Sequence, residues 1–107
     1  MTFHALDASL ALITQLRAPH ARIAAQDPDL ARQLRRAAHS IALNVSEARE
    51  RAGKDRAHLF RVAFGSAAET RTALEIAIAW SWVPAEDAAD ALATLDRLCA
   101  MLWRLTR

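Results

Sequence analysis

Only three places in this chain give the backbone a clear reason to stop. They are Asp27-Pro28-Asp29, Gly53 and Trp82-Val83-Pro84. In 107 residues there are two glycines and three prolines, alanine and leucine dominate, and β-branched residues are sparse. Such a mixture favours helix over strand. The three stops divide the chain into four helical segments, each roughly twenty residues long. Connections this short between helices this long force neighbours to run antiparallel, so the expected fold is all-α, an antiparallel up-down-up-down four-helix bundle forming a single domain over residues 1–107.

The first helix is expected from about Asp7 to Ala25, with Leu6, Leu10, Ile13, Leu16 and Ile23 setting its period. Pro19 falls inside it and should kink it, because proline removes one ladder bond. Asp27 followed by Pro28 is a strong start signal: an aspartate cap, then a residue with no amide hydrogen to leave unpaired. The second helix should run to about Ala52, with Gly53 as a left-handed stop and Asp55 helping to begin the third. The third, Asp55 to Trp80, is apolar on several sides, through Leu59, Phe60, Val62, Phe64, Leu74, Ile76 and Ile78. A helix of that kind is buried on several sides, which points to a partner subunit. Trp80, Trp82 and Trp103 read as exposed and support the same expectation. The fourth helix carries Glu86, Asp87 and Asp90 near its start and Arg104 and Arg107 near its end, the order that the helix dipole favours.

The segment from Gln33 to Ala48 is the richest in information. Leu34, Ala37, Ile41, Val45 and Ala48 form one stripe, and Ser40, Asn44, Glu47 and Arg51 form the stripe beside it. An amide near an apolar seam is costly unless its hydrogen bonds are met, so Asn44 implies a built contact between helices. Gly65 and Ser66, being small, would let the third helix approach the second at that level. Ser40, Asn44, Glu47, Gly65, Ser66 and Glu69 therefore read as one interhelical network, with contact to a ligand or partner as the alternative.

Charge is spread unevenly. The net charge is only +2, yet from Arg32 to Arg61 there are eight basic residues against Glu47, Glu50 and Asp55. Arg35, Arg36, Arg49, Arg51, Lys54 and Arg56 are the candidate nucleic-acid-binding residues, and the other reading is a solvated basic face. Thirteen of the fourteen basic residues are arginine, which suits paired hydrogen bonds to phosphate or carboxylate.

Ser40, Asn44 and Glu47, followed by Gly65-Ser66-Ala67-Ala68-Glu69, resemble the signature of bacterial four-helix-bundle proteins named after the intervening sequences inside some 23S ribosomal RNA genes. Gln33 to Ala37 and Arg97 to Leu102 are similar to the flanks of that signature, so the likeness spans nearly the whole chain. Ala48 and Ala42 stand where the family commonly has glycine and proline, and both replacements favour a straighter second helix. The resemblance implies a homo-oligomer, commonly a pentamer, with no assigned catalysis. Related accessory variability proteins of diversity-generating retroelements bind a reverse transcriptase and nucleic acid. Partners implied here are thus a further copy of the chain, RNA or DNA, an acidic protein, and a reverse transcriptase if one is encoded nearby.

Catalytic signals are weak. There is no glycine-rich phosphate loop, no paired Cys-x-x-Cys and no His-Glu-x-x-His. His4, His20, His39 and His58 are scattered, so no metal or other cofactor is expected. Arg32 with His39, and Arg51 with His58, have a spacing seen in small helical-bundle ribonucleases, but Gln33 and Ala52 follow the arginines where those enzymes place a different polar residue. The favoured reading is a non-enzymatic oligomeric interaction module with a basic surface. A purely structural assembly protein and a small ribonuclease are the alternatives. The single cysteine, Cys99, lies among leucines and reads as a small buried hydrophobe. With no signal peptide legible in the first residues and no membrane-spanning run, a cytoplasmic setting is expected.

Overall fold

The computed structural model describes residues 4–107, so the reading of the first three residues lies outside it. Four helices follow one another: α1 (His4–Gln26), α2 (Pro28–Arg49), α3 (Gly53–Ala79) and α4 (Ala85–Leu105). Each packs against its neighbours in sequence, and α1 closes the square by packing on α4. This is the up-down-up-down bundle, about 42 Å long and 23 by 18 Å across. No helix among the described residues is long and apolar enough to cross a membrane.

Local chemistry sets the boundaries. Asp27 caps α2, its Oδ1 accepting from the Leu30 amide at 3.0 Å, and Pro28 takes the first helical position. Pro19 is buried inside α1, which is continuous through it from His4 to Gln26. Contrary to expectation, α2 ends at Arg49 and not at Ala52. The amides of Glu50 and Arg51 turn back onto the carbonyls of Glu47 and Ala48, and Ala52 is extended. Gly53 does adopt the left-handed conformation (φ 62°), but it stands at the start of α3 and does not itself close α2. Asp55 makes no capping bond, although it lies in the first turn of α3, where the dipole favours it.

At the other end, α3 closes in a Schellman turn. The Trp82 amide reaches the Ala77 carbonyl at 2.9 Å and the Ser81 amide reaches Ile78, also at 2.9 Å. Ser81 takes the left-handed position (φ 63°) that glycine usually fills.

The core is built from Leu12, Leu16 and Ile23 of α1, Leu34, Ile41 and Val45 of α2, Phe60 and Leu74 of α3, and Leu95, Leu98 and Leu102 of α4, all buried. Alanines at the seams, among them Ala38, Ala63, Ala67, Ala77, Ala88 and Ala91, let the helices approach closely. Among the described residues three polar side chains are fully buried and each has a partner: Ser9 Oγ donates to the Ala5 carbonyl, Thr70 Oγ1 donates to the Ser66 carbonyl, and Thr94 Oγ1 accepts from Arg97. On the α3–α4 side Arg71 of α3 pairs with Asp96 of α4. The hydrogen bond to Asp96 raises the Arg71 pKa above its ordinary value; partial burial works against it, and the charge of Asp96 adds to it. Cys99 is half-buried and packs against the core.

The several apolar sides of α3 have two destinations. Phe60, Ala63, Ala67, Ala73, Leu74 and Ala77 enter the core, while Val62, Ile76 and Trp80 remain on the surface. Trp80 and Trp103 are more than half exposed, but Trp82 is half-buried and stacks on Trp80 with ring centroids 5.6 Å apart.

Candidate nucleic-acid interface

The two flanks of α2 carry different chemistry. On the flank facing α3, Asn44 Nδ2 donates to the Ser40 carbonyl at 2.8 Å and to Ser40 Oγ at 3.1 Å. Ser66 Oγ of α3 donates to the same Ser40 Oγ at 2.8 Å. Ser40 is therefore the bridge between helices, and Asn44 braces it from within its own helix. Farther along, Arg51 pairs with Glu47 at 3.0 Å, a surface pair one helical turn apart. Glu47, which holds Arg51, falls outside the interhelical network, as do Gly65 and Glu69. A side chain built at Gly65 would meet nothing within 4 Å, so the glycine is not needed for the approach of α3 to α2. Glu69 is exposed, with no hydrogen bond or ion pair among the described residues.

The six candidate basic residues fall into two groups. Arg49, Arg51, Lys54 and Arg56 cluster where α2 passes into α3. Much of that charge is engaged: Arg49 lies 3.8 Å from Glu50, Arg51 holds Glu47, and the Arg56 guanidinium sits 5.4 Å over the Phe60 ring. Lys54 is exposed.

Arg35 and Arg36 belong to a different surface, in the middle of α2. At about 100° per residue, Arg32, Arg36, His39 and Leu43 fall within about 60° of one another on the outer face, and Arg35 turns towards α1. They border an open groove of about 720 Å3 whose rim includes His20, Arg32, Arg35, Arg36, His39, Ser40 and Asn44. A second depression of about 180 Å3 adjoins it between α1 and α2, sharing His20, Arg35 and His39 and adding Arg17. No carboxylate lines either depression. Arg32 pairs with Asp29, whereas Arg17, Arg35 and Arg36 have no carboxylate partner among the described residues.

The sequence reading missed the contribution of α1. Arg17 and His20 are three residues apart on α1, and Arg35 and His39 four apart on α2, so each pair shares a helical face. Once the helices are taken as antiparallel neighbours, that spacing could have found the groove. No group of three or more histidine, cysteine or carboxylate side chains suited to a metal ion occurs among the described residues.

Fold and surface together define a small bundle with a groove on one side that carries three arginines, of which Arg32 is paired with Asp29. The chain belongs to the 23S rRNA-intervening sequence protein family, whose model matches residues 11–104. Among solved structures it is similar to a protein of unknown function from the S23 ribosomal protein family of Bacteroides thetaiotaomicron VPI-5482, with a TM-score of 0.85 and 19% identity over 96% of this chain and 98% of that one. At that identity the likeness speaks to the fold alone. No curated protein matches the chain.

Proposed function

We propose that this protein is a non-enzymatic, homo-oligomeric module that binds nucleic acid through the basic α1–α2 face. One observation carries the reading: a groove bordered by Arg32, Arg35, Arg36, His20 and His39, with no carboxylate in its lining, in a chain with twelve acidic residues to distribute. The guanidinium groups of Arg35 and Arg36, with no carboxylate partner among the described residues, concentrate positive potential where a phosphate backbone can follow it. Arg49, Arg51, Lys54 and Arg56 extend the basic surface but contribute less, because Glu47 and Glu50 offset two of them.

Oligomerisation draws support from α3. Val62, Gly65, Glu69, Ile76 and Trp80 fall within about 60° on its outer side. Three of the five are exposed large apolar residues, and Gly65 leaves open space among them. A ring, a pentamer by family resemblance, would cover this stripe and repeat the groove once per subunit, raising avidity. A ribonuclease reading gains nothing from the placement of Arg32, whose guanidinium is engaged by Asp29.

The test is a titration of labelled single- and double-stranded RNA and DNA. With about four phosphates neutralised, affinity for a single strand should fall roughly 50-fold between about 50 and 200 mM salt. Absence of binding at the lower salt would leave an assembly protein with no nucleic-acid role. Tight binding insensitive to salt would point to a partner other than a phosphate backbone.

A further inference from the structure

Resting on the nucleic-acid reading, we propose that the smaller depression between α1 and α2 receives one unstacked base, so that the ligand is single-stranded. The two depressions differ in breadth. The larger is a broad, open groove that sets Arg32, Arg35 and Arg36 beside Ala24, Pro28, Ala31 and Leu43, room enough for a strand to lie along it. The smaller one, about 180 Å3, has a floor of Ile13, Leu16, Leu34 and Ala38 and a rim of Arg17, His20, Arg35 and His39. The donors are all on the rim, so a phosphate is held there and gains nothing from the apolar floor beneath it. A planar heterocycle loses little by entering, because its faces are apolar.

The rim fits the same ligand. Its four polar members are two guanidinium groups and two imidazoles, one of each from either helix. All four are flat, and both chemical types stack on bases. They face one another across the α1–α2 seam, so a base entering between them has planar groups on both sides. The shared members, His20, Arg35 and His39, join this pocket to the arginine groove. A strand lying in the groove could therefore turn one base inward while a neighbouring phosphate stays on Arg36. In a duplex the bases are paired and stacked, and reaching the pocket would require flipping one out at a cost.

Stacking on a plane separates this proposal from simple charge attraction. Lysine keeps the charge of arginine and loses the plane. The wild-type protein should bind a single strand at least about tenfold more tightly than a duplex of equal length, from the stacking of one base. In the Arg17→Lys/Arg35→Lys variant that ratio should collapse towards one. A fluorescent base analogue, 2-aminopurine, placed along the single strand should lose emission on binding to the wild type, and lose much less on binding to the variant. Both rim arginines are exposed, so the variant should fold, and circular dichroism would verify that it does. Equal affinity for single strand and duplex, or a lysine variant with the wild-type ratio and the wild-type quenching, would overturn the base pocket and leave the phosphate-binding face standing. Failure to bind any strand would overturn both.

Discussion

Ser40 is a single hydroxyl with two donors aimed at it, Asn44 Nδ2 from its own helix and Ser66 Oγ from α3. Removing it affects both. Asn44 Nδ2 keeps the Ser40 carbonyl, but Ser66 Oγ is left without its cross-helix acceptor. Ser40→Ala should therefore cost about 1–2 kcal/mol, Ser66→Ala about 0.5–1.5 kcal/mol, and Asn44→Ala no more than about 1 kcal/mol, since Asn44 is only half-buried and bonds within α2. Urea unfolding of the three variants would check the order, and Asn44→Ala proving the most damaging would contradict it. The helical period puts Ser40 and Asn44 on one face of α2, and Ser66 of α3 meets that face through Ser40. The sequence could not show which of them crosses the interface, since that depends on side-chain direction. Gly65 joined the group because a small residue allows close approach, and Glu69 through the signature that the chain resembles; neither position makes a side-chain contact across to α2.

At the scale of the elements, two left-handed residues close the connections, and only one of them is glycine. Ser81 occupies a conformation that costs an L-residue about 1–2 kcal/mol, part of which glycine would give back as entropy in the unfolded chain. Ser81→Gly should stabilise the fold by about 0.5–1 kcal/mol, while Gly53→Ala should destabilise it by about 1 kcal/mol. Thermal melts with opposite signs would bear this out, and a loss of stability on Ser81→Gly would refute the turn geometry. The start of α2 was legible because Asp27 and Pro28 act on their nearest neighbours. The end of α2 was not, since Arg49, Glu50, Arg51 and Ala52 are all tolerated in a helix and the break comes from the extended Ala52 ahead of Gly53. The Schellman turn was hidden for the same reason, as serine has no preference that announces a positive φ. The groove on α1 and α2 was half legible: the arginines of α2 stood out in a basic run, whereas Arg17 and His20 acquire meaning only once α1 lies beside them.

For the whole molecule, the outer stripe of α3 is the proposed assembly face and the α1–α2 groove the proposed binding face. Light scattering at micromolar concentration should give a mass several times the 11.8 kDa of one chain. Ile76→Glu with Val62→Glu should reduce that mass to the monomer while keeping the helical circular dichroism, since both side chains are more than a third exposed. A monomer at every concentration in the wild type would remove the ring. The claim on which the rest depends is that unpaired arginines in the middle of α2 hold nucleic acid. It is tested most directly by fluorescence anisotropy of a labelled single-stranded RNA at about 50 mM salt, comparing the wild-type protein with Arg35→Glu/Arg36→Glu. The double reversal should weaken binding at least about 30-fold, because two phosphate contacts become two repulsions, and helicity should be preserved. Binding by the reversed protein equal to that of the wild type would contradict the account.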